Sequence, residues 1–318
     1  MIPYQWFVEA RVRISPHIRI TPITYDEEID LFLKWENKQI TGSFKARGAF
    51  NKVLSLEKWE QEAGLLAASA GNHGQGVALA GQVVEAPVKI FVPKNAPSVK
   101  IHAMKSLGAE VVLVPGGYQE AENAALDEAA SSEFTWISPY NDGIIIAGQG
   151  TIALEVIDQL NDRSAISLED MFWLVPTSGG GLLAGIAAAI DSIAPKSTVI
   201  GVQSDTSPFM HAIFHQGTQD NIIELPTIAD GLAGPVEDGS ITIPLVRNHV
   251  DDILLVNEDE IIEAIAYSWH KHGEMIEGAA AVVIAAVLSG KIKQRPIIAV
   301  VSGGNIQDDV FRKIVESY

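Results

Sequence analysis

The sequence predicts an α/β fold of two open, twisted, mainly parallel sheets, divided between a large and a small domain. Three observations carry that expectation. Short β-branched runs alternate with helix-period stretches along most of the 318 residues. An apolar content of 47% is enough to cover such sheets on both faces. Three glycine-rich turns each follow a candidate strand, where open parallel sheets place their ligands.

Candidate strands fall at 31–35, 64–68, 89–92, 110–114, 134–137, 171–175, 198–202, 253–256 and 297–301. Between them the apolar spacing predicts helices at 44–54, 73–84, 98–107, 119–131, 148–160, 182–193, 258–272, 279–288 and 308–316. Residues 204–244 carry several Pro and Gly and read as connecting loops. At 318 residues the chain is long enough for two domains.

Composition narrows the function. The formal charge is −18, so the surface repels nucleic acid and anionic lipid, and neither is expected as a partner. There is no cysteine, which removes disulfides and thiolate chemistry and fits a reducing cytoplasm. The most apolar stretch, 279–288, is too short to cross a bilayer, and the first residues lack the pattern of a signal peptide.

Four segments carry chemistry. Thr177-Ser178-Gly179-Gly180-Gly181 lies between a strand and a helix, which leaves backbone N–H groups free to bind an anion such as a phosphate. The same turn, continued through Leu182-Leu183-Ala184 with Asp205 beyond the next strand, also fits a loose dinucleotide pattern. A nicotinamide enzyme therefore stays open on this segment. In Gly42-Ser43-Phe44-Lys45, a lysine at a helix start ordinarily faces solvent. The helix N-terminus disfavours its positive charge, however, which suits a nucleophilic amine. Ser69-Ala70-Gly71-Asn72-His73-Gly74 combines hydroxyl, amide and helix-start N–H groups suited to a carboxylate. Ser302-Gly303-Gly304-Asn305 puts a hydroxyl at the end of a buried strand.

In order, these segments resemble the fold-type II pyridoxal-phosphate family that contains threonine and serine dehydratases and serine racemases. The matching blocks are Thr21-Pro22-Ile23, Lys34 to Ala49, Ala68 to Gly76, Pro139-Tyr140-Asn141-Asp142, Ala147 to Thr151, Pro176 to Leu182, Ile228-Ala229-Asp230-Gly231 and Ser302 to Asn305. They span nearly the whole chain, and as an ordered set they outweigh the single dinucleotide-like turn. The resemblance implies that Lys45 carries the cofactor, with Phe44 packed near the ring and Asn72 on the ring hydroxyl. Ser178, Gly179, Gly180 and Gly181 would cradle the phosphate, and Ser302 would meet the pyridine nitrogen. Ser69, Ala70, Gly71, Asn72 and His73 would form the loop that binds the substrate carboxylate. A serine does not hold the ring nitrogen protonated, so the ring is a weaker electron sink and favours prompt loss of a β-leaving group.

The resemblance also implies a large domain of residues 1–49 and 141–318, a small domain of 50–140, a cofactor between them, and a homodimer. Dehydration of L-threonine or L-serine is the expected reaction. Racemisation of serine or aspartate, and dehydration of 3-hydroxyaspartate, are the alternatives. Racemases of the family use a serine where this chain has Ala70, which lowers that alternative. Some members bind a divalent cation just after the strand at 198–202. Gln203 and Phe209 replace the acids expected there, with Asp205 displaced, so no metal is expected. Glu277 precedes Gly278 where the family often has proline, and it is expected to face the cleft. The chain ends soon after Ser302, so a regulatory domain after the catalytic one is not expected.

Overall fold

The computed structural model describes residues 1–161 and 168–318. Its larger sheet has the spatial order β1 (Ile23–Asp26), β2 (Leu31–Trp35), β10 (Ile297–Val301), β7 (Phe172–Pro176), β8 (Thr198–Ser204), β9 (Asp252–Val256). Its smaller sheet has the order β5 (Glu110–Val114), β4 (Val88–Pro93), β3 (Leu65–Ala68), β6 (Thr135–Trp136). Every pairing is parallel except the β1–β2 hairpin at one edge. The central strands β2 and β10 are buried at every position, as two-sided coverage requires.

The helices are α1 (Tyr4–Ile14), α2 (Lys45–Ser55), α3 (Lys58–Ala63), α4 (Asn72–Val84), α5 (Ser98–Ser106), α6 (Tyr118–Ser131), α7 (Gly143–Asn161), α8 (Gly181–Ile193), α9 (Phe209–Gln216), α10 (Thr242–His249), α11 (Glu258–His272), α12 (Gly278–Leu288) and α13 (Asp308–Ser317). One face of the larger sheet packs Trp173, Val175 and Ile298 against α1, α7, α8 and α10. The other packs Leu31, Leu174 and Ala299 against α11, α12 and α13. On the smaller sheet, α2, α4 and α5 cover one face and α6 the other. The α7 helix is long and apolar enough to cross a membrane by length and composition, but 67% of its most apolar window is buried and it packs on α1, α2 and α8.

The sequence missed α1, α3, α9, α10 and strand β1. Its loop reading of 204–244 is corrected by α9, which buries Phe209, Met210, Ala212 and Ile213. The intervening prolines and glycines hid one short amphipathic helix.

Helix α2 joins the two halves. It packs on α4 of the smaller sheet and on α7 of the larger. The α2–α7 crossing needs glycine, because a methyl on Gly148 would fall 2.7 Å from the Gly48 Cα. Below this crossing lies a buried ion cluster. Arg47 Nε and Nη2 donate to the two oxygens of Glu36 at 2.7 and 2.8 Å, and Nη1 donates to Glu155 at 3.0 Å. Lys34 Nζ donates to Glu155, Gln159 and the Thr21 carbonyl.

Candidate active site

The parallel β10–β7 register pairs Ala299 with Leu174. Three residues further on, that register brings Ser302 beside Thr177, so two of the glycine-rich turns leave the same sheet edge together. The third, after β3, enters from the smaller sheet.

The Thr177–Gly181 turn opens α8. Gly180 has φ +86°, a left-handed conformation that favours glycine. Tyr140 closes over the turn: a methyl on Gly179 would lie 2.5 Å from its ring. Thr242 Oγ1 donates to the Gly179 carbonyl at 2.6 Å, which fixes the turn from the other side. Ser178 stays half-buried, and the first N–H groups of α8 have no intrahelical acceptor. Thr177 Oγ1 is buried without a partner.

Lys45 is the first residue of α2. Its position is set by the Phe44 N–H, which donates to the Ser302 carbonyl at 3.0 Å, and by a bridge between Ser43 and Gly303. Lys45 Nζ donates to the Pro139 carbonyl at 2.9 Å and lies 5.3 Å from the Phe44 ring centre. Burial lowers its pKa to about 8, against the opposing pull of Glu277. Ser302 is buried at the end of β10.

In the loop after β3, Ser69 Oγ accepts from the Gly71 N–H at 3.1 Å. Asn72 begins α4, so the N–H groups of Asn72, His73 and Gly74 have no acceptor within the helix. Asn72 Nδ2 donates to Glu277 Oε1 at 2.7 Å, while Asn72 Oδ1 accepts from Asn305 Nδ2 at 2.7 Å. Glu277 is buried, and burial together with Asp230 raises its pKa to about 7, against Lys100 and the Asn72 hydrogen bond. His73 is buried, and its Nε2–H points at the Ile137 carbonyl, 2.9 Å away. Burial, then Lys45, lowers its pKa to about 3, so the ring is neutral. His73 therefore offers an anion its backbone N–H rather than a charge.

Of the residues the sequence singled out, the structure joins Phe44 to Ser302 by a hydrogen bond, places Lys45 on the Pro139 carbonyl next to the Tyr140 that covers Gly179, and joins Asn72 to Asn305 beyond Ser302. The sequence assigned no role to Tyr140, Thr242, Pro139 or Asn305, whose contributions arise only in three dimensions. At the position where family members place metal ligands, Gln203 Oε1 accepts the His211 N–H at 3.0 Å and Phe209 is buried in the core.

The cleft has the parts that a phosphate-bearing carbonyl cofactor needs. They are a glycine cradle at a helix N-terminus, an amine with a lowered pKa, a buried strand-end hydroxyl, and the unpartnered hydroxyls of Ser43 and Thr177.

Comparison with known proteins identifies the family and its cofactor. The family described as pyridoxal-phosphate dependent enzyme matches residues 12–303. The catabolic L-threonine dehydratase of Escherichia coli K12 is 42% identical over 94% of this chain and 92% of its own. Among solved structures, the processed form of threonine deaminase isoform 2 from Solanum lycopersicum has a TM-score of 0.89 and 32% identity, covering 98% of this chain and 92% of its own. Maize serine racemase has a TM-score of 0.88 and 30% identity, covering 99% and 97%.

Proposed function

Because the chain belongs to the pyridoxal-phosphate dependent enzyme family, we propose that it is a lyase that removes water from L-threonine or L-serine to give a 2-oxo acid and ammonia. The observation that carries this reading is the Lys45 amine, which donates to the Pro139 carbonyl next to the Tyr140 ring that closes over the Gly179 turn, and whose pKa burial lowers to about 8. When bound, pyridoxal phosphate supplies the electron sink that makes a Cα proton acidic and lets a β-hydroxyl leave.

The chain's residues divide the rest of the work. Lys45 would hold the cofactor covalently, and its amine is the group that would accept the substrate's Cα proton. The N–H groups of Ser178, Gly179, Gly180 and Gly181 would hold the phosphate. Phe44 would pack beside the ring, and the Ser302 hydroxyl would meet its nitrogen. Asn72, its amide fixed between Glu277 and Asn305, would meet the ring hydroxyl with its remaining N–H. The loop from Ser69 through Ala70, Gly71 and Asn72 to His73 holds the substrate carboxylate on backbone N–H groups and the Ser69 hydroxyl. In the net reaction the Cα–H and Cβ–O bonds break, water leaves, and hydrolysis of the C–N bond releases ammonia.

The proposed division is a large domain of residues 1–49 and 141–318 and a small domain of 50–140 that carries the carboxylate loop. Closure of one on the other would exclude water. The expected assembly is a homodimer by family resemblance, and the expected compartment is the cytoplasm, which the absence of cysteine favours.

The test is a screen of L- and D-serine, L- and D-threonine and the 3-hydroxyaspartate isomers for 2-oxo acid. Release from L-threonine or L-serine is expected, and release from none of them overturns the reading. Ala70 has no proton to give on the face opposite Lys45, so racemisation should be weak. Ala70→Ser should raise D-isomer formation about a hundredfold, the low end of the range for an added acid/base group. Unchanged chiral analysis would overturn that role for position 70.

Lys45 also sets a pH dependence. The folded protein holds its amine below the ordinary lysine range, so the reactive neutral form is gained as pH rises through about 8. Apoenzyme mixed with pyridoxal phosphate should regain visible absorbance at a rate that climbs about tenfold per pH unit below 8 and levels above it. A rate still climbing at pH 10 would mean that the amine is not perturbed.

A further inference from the structure

Lys100 lies beside the carboxylate loop, where the proposed mechanism does not use it. It comes from α5, on the smaller-sheet side, and its Nζ donates to Asp230 Oδ2 at 2.9 Å. Asp230 begins the short helical turn Asp230–Leu232, which packs on α12 behind the larger sheet. The pair thus spans the cleft. A methyl built on Gly71 would lie 3.7 Å from both Lys100 Nζ and Lys100 Cδ, so the ammonium hangs directly over the loop.

The two partners differ in exposure. The Lys100 side chain is 13% exposed, while that of Asp230 is 59% exposed. A half-exposed carboxylate turns into water at small cost, and such an ion pair contributes little to stability. A screened ammonium beside an anion-binding loop has more to lose if left alone. The arrangement therefore favours exchange: an arriving carboxylate takes the ammonium and Asp230 returns to solvent.

We propose that Lys100 is a substrate-binding residue that grips the α-carboxylate of the amino acid, and that Asp230 holds its place until substrate arrives. This rests on the proposed lyase function and deepens it, because it names what selects an α-amino acid over a simple amine. Neutral N–H groups alone hold a carboxylate less firmly than N–H groups joined by a charged donor. The exchange leaves one ion pair before binding and one after it.

The test uses the holoenzyme of the wild type and of two variants, Lys100→Met and Asp230→Asn. Lys100→Met should raise KM for L-threonine about tenfold to a hundredfold, the range for loss of a charged hydrogen bond, with kcat within about threefold. Asp230→Asn should shift KM the opposite way, lowering it by up to about fivefold, because it removes an internal competitor of surface strength. The amine 1-amino-2-propanol, which keeps threonine's amine and hydroxyl but lacks its carboxylate, supplies the control. Its affinity, read from the shift of the cofactor band, should be the same in wild type and Lys100→Met.

A purely structural strap across the cleft makes a different forecast. Both variants would then raise KM, or both would lower kcat, and the amine would bind more weakly too. Any of those results overturns the proposal. If Lys100→Met does not fold, Asp230→Asn decides alone, since a rise in its KM is incompatible with exchange. If the wild type turns over no hydroxy amino acid, the lyase reading fails separately. Titration of the cofactor band with L-threonine against 1-amino-2-propanol then still tells whether Lys100 holds the carboxylate.

Discussion

Lys45→Ala is expected to abolish the visible band and to lower 2-oxo acid release by at least about a thousandfold. Loss of an acid/base group alone costs roughly 10²–10⁴ in rate, and in the proposed mechanism Lys45 is also the covalent anchor. Borohydride treatment should fix cofactor to the wild type and leave none on the variant. The fold should survive. The Lys45 side chain makes one hydrogen bond, to the Pro139 carbonyl, while α2 is held by the Phe44–Ser302 hydrogen bond, the Ser43–Gly303 bridge and the Arg47 cluster. The melting temperature without cofactor should therefore stay within a few degrees of the wild-type apoenzyme. Retained turnover in Lys45→Ala would remove this residue from the mechanism. Lost turnover with a collapsed fold would mean that its role is structural.

Much of this architecture was legible because apolar and β-branched runs advertise strands. Leu31–Trp35 and Ile297–Val301, buried at every position, and Glu110–Val114, an edge strand rich in valine, have the bounds the sequence suggested. The strand missed, Ile23–Asp26, is a short edge strand with two exposed positions, so it carries little hydrophobic signal. The helix α9 sits among prolines and glycines that read as loop. The cleft was legible where backbone demands specific residues: the glycines of 179–181 and the Asn72 helix start. It was not legible where side chains meet from distant segments. Thr242 reaches the Gly179 carbonyl across 63 residues, and Glu277 meets Asn72 across 205. Nothing local in either segment encodes such a contact. The resemblance to a family supplied Lys45, which by itself reads as a surface lysine. The structure adds an environment that lowers the pKa of its amine.

Arg47→Met is expected to produce the largest loss of stability. The guanidinium is two residues beyond Lys45 on α2, its side chain is 1% exposed, and it donates to two carboxylates and to Thr151. Arg47 and Lys34 together balance Glu36 and Glu155 in a region almost closed to water. Methionine would fill much of the space but leave two carboxylates facing one ammonium. Removing one partner of a buried pair costs about 3–5 kcal/mol, because the remaining charge is uncompensated. For a protein of this size that lowers the melting temperature by on the order of 10 °C. The pH dependence has a definite sign. Burial raises the Glu155 pKa, but Arg47 and then Lys34 outweigh it and hold the group below the usual range. A carboxylate held low in the folded state stabilises above its unfolded pKa and loses that stabilisation as pH falls. The variant lacks most of this contribution, so its deficit should be full near pH 7 and shrink as pH drops below 5. Adding Glu36→Gln to Arg47→Met removes the orphaned charge and should recover part of the loss at pH 7. Cofactor affinity should fall with stability, since α2 carries Lys45 into the cleft. A variant melting within 2 °C of wild type at pH 7 would show that α2 is held by its apolar contacts with α4 and α7 alone.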